Sequence, residues 1–195
     1  MVKSKMTGSK QVQRNLVKAE NNMKTGVLAG MIESAILIRQ ATEKELPITP
    51  VDLGNLRASW FVTTAKGQVK EGTRNTGVFV EVNKKGEKVR PEGFAAKMSA
   101  RHNQTIGKNE NRCKTSKKLM LIMGYSANYA IWVHEMPETT DWQRPGSGPK
   151  WFERKLKKHA KKMLSTIGHN AKISLVKGFP ATKQFKARTG IENIK

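Results

Sequence analysis

Between residues 11 and 45, apolar and small residues return at steps of three and four: Val12, Leu16, Ala19, Met23, Val27, Gly30/Met31, Ser34/Ala35 and Ile38. That spacing places them on one face of an α-helix. Leu28, Ile32, Ile36 and Leu37 widen the stripe in its second half, so that half is predicted to be the more buried. Pro47 and Pro50 stop the helix, because a proline inside it would remove a hydrogen bond and clash with the preceding turn. Such a helix spans on the order of 50 Å. It either crosses more than one neighbour or is an ordinary core helix kinked at Gly26 or Gly30.

The pattern then shortens. Asp52 is placed to cap a short helix over 53–59. Residues 60–65 (Trp-Phe-Val-Thr-Thr-Ala) and 77–82 (Gly-Val-Phe-Val-Glu-Val) read as strands, with Gly67 and Gly72 in the hairpin connection between them. Residues 119–125 (Leu-Met-Leu-Ile-Met-Gly-Tyr) are a continuous apolar run, which predicts a central strand buried on both sides. Residues 128–135 form a short helical turn or an irregular strand, and 137–149 are loop. A second long helix opens at Pro149, where proline suits the first turn. Its stripe is Phe152, Leu156, Ala160, Met163 and Ile167, and Gly168 is its predicted C-cap. The expected fold class is α+β: a small, mainly antiparallel sheet of about four strands packed against a long N-terminal helix and a C-terminal helix. One domain covers 11–168. Residues 1–10 and 169–195 are predicted to be flexible arms. Residues 83–118 read as a basic insertion reaching away from the body, with a short helix at 94–100.

Charge changes this picture. Among 195 residues, 37 Lys and Arg face 15 Asp and Glu, a formal net charge of +22. Such a chain repels itself and attracts polyanions: nucleic acid, an anionic membrane or an acidic protein face. Cys113 is the only cysteine, so neither an internal disulfide nor a cysteine zinc site can form. The opening residues have no apolar run like a signal peptide, and no stretch approaches the roughly 18 apolar residues of a membrane span. The expectation is a protein made in the cytoplasm, with no membrane partner.

Catalytic chemistry finds little to use. His134-Glu135 looks like half of a zinc-protease helix, but Pro137 and Glu138 follow, so the second histidine is missing. Serine elbows and Gly-rich phosphate loops do not occur, and aspartate stands only at 52 and 141, which leaves no carboxylate cluster for a metal-dependent nuclease. No catalytic, metal or cofactor residue is expected. Helix-turn-helix, zinc-finger and aromatic-studded sheet patterns are missing too. Trp60, Trp132, Trp142 and Trp151 read as packing residues, and any DNA contact is expected through phosphates alone.

The segment Thr49-Pro50-Val51-Asp52-x-Gly54-x-Leu56-Arg57-x-Ser59 resembles the signature of the minor tail-completion, or head–tail connector, proteins of long-tailed bacteriophages. Their pattern is Thr-Pro-x-Asp-Thr-Gly-x-Leu-Arg-x-Ser, with Leu53 here standing where threonine is usual. Gly124-Tyr125-Ser-Ala-Asn128-Tyr129-Ala130-x-x-Val133-His134-Glu135 is similar to the family's second block, and Gly148-Pro149-Lys150-Trp151-Phe152 to the segment that opens its last helix. The likeness runs over residues 20–167, with the basic insertion as a gap.

The resemblance implies a structural subunit of the phage neck, a homo-oligomeric ring that joins capsid to tail around the DNA channel. Sixfold order is the first expectation and twelvefold the second. Its partners would be other copies of itself, neighbouring neck and tail proteins and, nonspecifically, genomic DNA. Asp52, Arg57 and Glu135 are the candidates for a subunit contact, with Arg57 bonding a carboxylate such as Glu135. Lys84, Lys85, Lys88, Arg90, Lys117, Lys118, Arg154, Lys157, Lys158 and Lys161 are the candidates for meeting a polyanion or an acidic partner. The rival reading is a nucleic-acid-binding protein without sequence preference.

Overall fold

The computed structural model describes residues 9–51, 54–69, 78–79, 81–82, 88–89 and 93–177. Their architecture is α+β: a long N-terminal helix, a small antiparallel sheet, and a C-terminal helix packed against the first. The first helix, α1, runs Ser9–Lys44 and stops three residues before Pro47. Its buried residues, among them Leu28, Ile32, Ala35 and Ile38, all lie from Gly26 onward, where the stripe is widest.

Strand β1 (Trp60–Thr64) is buried at every residue and is the middle strand of the order β2-β1-β5. Strand β2 (Gly67–Gln68) returns on β1 through a tight turn, pairing Thr64 with Gly67. Strand β5 (Leu121–Tyr125) lies on the other side, with Trp60 opposite Tyr125 and Thr64 opposite Leu121. The apolar run therefore forms an edge strand, half-buried throughout, and β1 takes the central place expected of it. An apolar run reports burial of side chains, not the number of hydrogen-bonded neighbours.

The strand expected at 77–82 also pairs differently. Of its described residues, Glu81–Val82 form β3, which joins β4 (Lys88–Val89) in a separate two-stranded sheet, while Val78 and Phe79 belong to no strand. The hairpin partner of β1 is supplied by β2 instead.

The segment 83–118 departs furthest from expectation. Most of it is α3, a helix over Phe94–Thr115 packed on β1. Ala95, Met98, His102, Ile106 and Cys113 are buried at helical spacing. Two of these five are a small residue and a histidine, so the stripe is weak in hydrophobicity although correct in phase. The helical part of the presumed projecting insertion is thus a layer of the fold. His102 Nδ1 lies 2.6 Å from Ser126 Oγ, its ring stands edge-on to Phe79, and burial pushes its imidazole below the ordinary range.

Two apolar clusters fill the layers. One joins Leu28, Ile32 and Ile38 of α1 with Trp60 and Val62, flanked by Leu121, Met123, Phe152 and Leu156. The other joins Leu56, Phe79, Ala95, Met98, Ala127 and Trp151. After the short helix α4 (Ala130–His134), α5 runs Trp151–Lys177. It passes through Gly168, so that residue caps nothing, and residues 169–177 belong to the helix rather than to an arm. Likewise Ser9 and Lys10 are already helical. Residues 1–8 and 178–195 lie outside the described residues.

Helix α5 lies along α1 at very close range. A methyl group on Gly30 would fall 2.5 Å from Ile167 Cα, and one on Gly26 would fall 2.5 Å from Ser174 Cβ. These glycines are points of helix contact. Ser34 Oγ reaches the Met163 carbonyl at 3.3 Å, and Ser174 Oγ donates to the Asn22 carbonyl at 2.6 Å.

Candidate functional site

The segment 49–59 folds against the C-terminal end of α1. Thr49 N–H and Thr49 Oγ1 both donate to the Thr42 carbonyl, at 2.8 and 3.0 Å, satisfying an acceptor that the helix end leaves open. Gly54 takes a left-handed φ of 87° and occupies the N-cap position of α2 (Asn55–Ala58). A side chain there would meet nothing within 4 Å, so the glycine answers a backbone conformation rather than a close approach. The helix is shorter than 53–59, and its N-cap is Gly54 rather than Asp52. Asp52 and Leu53 lie outside the described residues. Leu56 is buried, and Ser59 Oγ donates to the Leu56 carbonyl at 2.7 Å.

A polar network ties this segment to the second motif block. Tyr125 Oη, from β5, sits 3.1 Å from Thr49 Oγ1 and 3.4 Å from Thr42 Oγ1. Arg39, only 5 % exposed, donates to the Arg57 carbonyl at 3.1 Å and lies over the Trp60 ring at 5.5 Å. Glu43 sits between two arginines, 3.1 Å from Arg39 and 2.5 Å from Arg57. These are ion pairs without hydrogen-bond alignment at the Glu43 oxygens. Arg144 extends the group, 4.0 Å from Glu43 and 3.4 Å from the Thr49 carbonyl.

The proposed partners of Arg57 are thus rearranged. Within the chain it pairs with Glu43, while its side chain remains 42 % exposed. Glu135 pairs instead with His134 at 2.7 Å and Lys150 at 3.2 Å, and the His134 hydrogen bond, then Lys150, holds its carboxyl below the usual range. His134 Nε2 accepts the Glu153 N–H at 3.4 Å, and the His134 carbonyl accepts the Lys150 N–H at 2.8 Å. An accepting Nε2 leaves the Nδ1 proton to face Glu135. The His-Glu pair therefore fastens the start of α5. Among the described residues no group of three or more metal-type ligands occurs.

Beside the network opens a cleft of about 460 Å³. Pro50, Val51 and Leu56 form one wall, Tyr129, Val133 and Met136 another, and Trp142 a third. Both motif blocks contribute to it. Its lining is mainly apolar, with Asp141 and Arg144 at the polar side. Such a surface can hold an apolar side chain of a partner; it holds no nucleophile paired with a base. On α4 next to it, Ile131 and Trp132 are 66 % and 75 % exposed. Trp132 is thus not a packing residue, unlike Trp60 and Trp151, which are buried.

The basic candidates separate into two groups. Arg154 pairs with Glu138, Lys157 with Glu153 and Lys158 with Glu45, so their charge is partly spent inside the subunit. His159 also bonds Glu45, at 3.0 Å. Lys117, Lys118 and Lys161 are exposed and have no ion-pair partner among the described residues. Lys84, Lys85 and Arg90 lie outside those residues, and Lys88 is placed only by its backbone in β4.

Sequence reasoning passed over Arg39, Glu43, Thr42 and Lys155. A signal existed for Arg39 and Thr42, which continue the buried stripe of Ile32 and Ala35 at helical spacing. Lys155, 1 % exposed, donates to the carbonyls of Leu46 and Pro47 at 2.8 and 3.1 Å, and burial lowers its pKa. It lies one turn from Trp151, on the buried side of α5. No helix among the described residues is long and apolar enough to cross a membrane. Comparison with family models, curated proteins and solved structures returned no match.

Proposed function

We propose that the chain is a structural subunit of a tailed-phage neck, a tail-completion or tail-terminator ring around the DNA channel, and not an enzyme. The observation that supports this reading is the meeting of two family-like blocks at one place. Thr49 and Arg57 of the first join Tyr125 of the second in a single network, with a shared apolar cleft beside it. A ring subunit needs two rigid, mutually complementary surfaces, and head-to-tail contacts between them close the ring when the rotation suits. The half-exposed Arg57 guanidinium and the exposed Trp132 lie in these same two blocks. Aromatic and arginine side chains are the types that dominate contact energies.

Electron microscopy of the purified chain tests the reading. A closed ring, sixfold first and twelvefold second, is expected, with loss of rings in Trp132→Ala at unchanged folding. A chain that never forms rings, alone or with isolated heads or tails, overturns it. The rival reading, binding to nucleic acid without sequence preference, draws on the +22 charge and on Lys117, Lys118 and Lys161, which have no ion-pair partner among the described residues. Salt-sensitive binding to any DNA sequence, with no ring under any condition, would favour it.

A further inference from the structure

The outer half of α1 carries apolar residues with no cover among the described residues. Val12, Leu16 and Met23 are 59 %, 65 % and 43 % exposed, and Ala19 lies between them, half-buried. Their spacing is four, three, four, the repeat of a helix–helix seam. At 3.6 residues per turn the same line continues inward through Gly26 and Gly30, the two residues pressed against α5. One face of α1 thus keeps the spacing of a helix contact along its whole length, although α5 occupies only its inner half. The described part of α5 ends at Lys177, and its bond from Ser174 reaches α1 only as far as Asn22.

Charge identifies the occupant. On the helical wheel Lys10, Arg14, Lys18 and Lys24 lie away from the stripe, around the opposite side. The positions flanking it are Gln13, Glu20, Asn15 and Asn22. Flanking charges set the partner of a helical seam. An acidic partner or an anionic membrane would call for basic flanks, and this seam has none. A second copy is the one partner of a +22 chain that needs them removed. We infer that the outer stripe of α1 pairs with the same stripe of a second copy, antiparallel, with Leu16 of one copy beside Ala19 of the other. In that direction Gln13 faces Glu20, and the basic N-terminal turns of the two copies, which carry Lys10 and Arg14, lie at opposite ends of the seam; a parallel pair would gather both at one end. The contact is two-fold, so it is separate from any head-to-tail ring contact and does not rest on the ring reading. Its small size places it among weak, concentration-dependent interfaces.

The test uses the full chain. Sedimentation equilibrium over a concentration series is expected to show reversible dimers. Leu16→Asp should weaken this association at least about tenfold, equivalent to about 1.4 kcal/mol, whereas Lys10→Gln with Arg14→Gln should not weaken it. As a second measurement, Leu16→Cys and Ala19→Cys chains are mixed under mild oxidation. The antiparallel register predicts that the mixed disulfide dominates over either homodimer. A wild-type chain that stays monomeric at every concentration overturns the proposal. So does association untouched by Leu16→Asp, or a preference for Leu16–Leu16 disulfides. If Leu16→Asp instead abolishes binding to phosphatidylserine vesicles or to DNA and leaves self-association unchanged, the stripe serves that ligand and the proposal is wrong.

Discussion

The two halves of α1 share one helix and one continuous face, yet they are built for different neighbours. From Gly26 to Thr42 the face toward α5 carries Gly26, Gly30 and Ser34, and the adjoining stripe drives Leu28, Ile32 and Ile38 into the core beside Trp60 and Val62. From Ser9 to Met23 the same face carries Val12, Leu16 and Met23 in the open. Small residues let two backbones approach until even one methyl group would overlap. Larger ones would suit a neighbour that arrives at ordinary coiled-coil distance. Apolar periodicity alone does not separate these cases. The width of the stripe and the size of its residues do.

The most severe way to test the difference is to cut the inner half. Ile32 is fully buried in the principal core. Ile32→Ala should cost about 2–5 kcal/mol, measured by urea denaturation. A cost below about 1 kcal/mol would mean that α1 is held by something other than this core. Next comes the polar end of the same half. Glu43→Ala leaves Arg39, 6 % exposed at its side chain, without its carboxylate. The loss should be about 3 kcal/mol, the lower end for breaking a buried pair, because Glu43 itself retains some exposure. Arg57→Ala removes the more exposed partner and should cost less. Equal losses would show that the network depends on Arg57 rather than on Arg39.

Gly30→Ala comes third and bears directly on the comparison. Alanine would gain up to about 1 kcal/mol in helix propensity, but its methyl group would sit 2.5 Å from the Ile167 backbone. Overpacking of that kind costs typically 1–3 kcal/mol, so a net destabilisation of about 1 kcal/mol is expected by thermal or chemical denaturation. A stabilised variant would show that α5 can move away from α1 cheaply, and the close approach would lose its meaning.

The α+β class, both long helices and β1 were legible because each rests on periodicity over many residues. The motif at 49–59 was legible as a unit, but its wiring was not. Gly54 reads in the sequence as a close backbone approach, and only the backbone angle shows that it serves a left-handed turn instead. Arg57 names no partner, since Glu43 is nearby only after α1 and α2 fold together. Helix α3 was legible only at its start, 94–100, because its buried face includes Ala95 and His102, which contribute little to a hydrophobic pattern. Strand order was out of reach for a related reason: Leu121 to Tyr125 report their own burial, not which strands lie on either side.

The smallest expected effect is at Leu16, and it sharpens the comparison most. At concentrations where the chain is monomeric, Leu16→Asp removes an apolar side chain that is 65 % exposed and touches no core cluster. Surface changes of this kind usually fall within about 0.5 kcal/mol, with a small added cost for aspartate inside a helix. The same substitution is expected to be costly only to self-association. Unfolding should therefore be followed at two protein concentrations. Wild type should gain stability with concentration, because a partner that binds only the folded chain stabilises it by mass action, and Leu16→Asp should not. If the variant loses more than about 1 kcal/mol in dilute solution, the outer half is already covered within the single chain. The two halves of α1 would then be alike, and the seam would belong to the monomer.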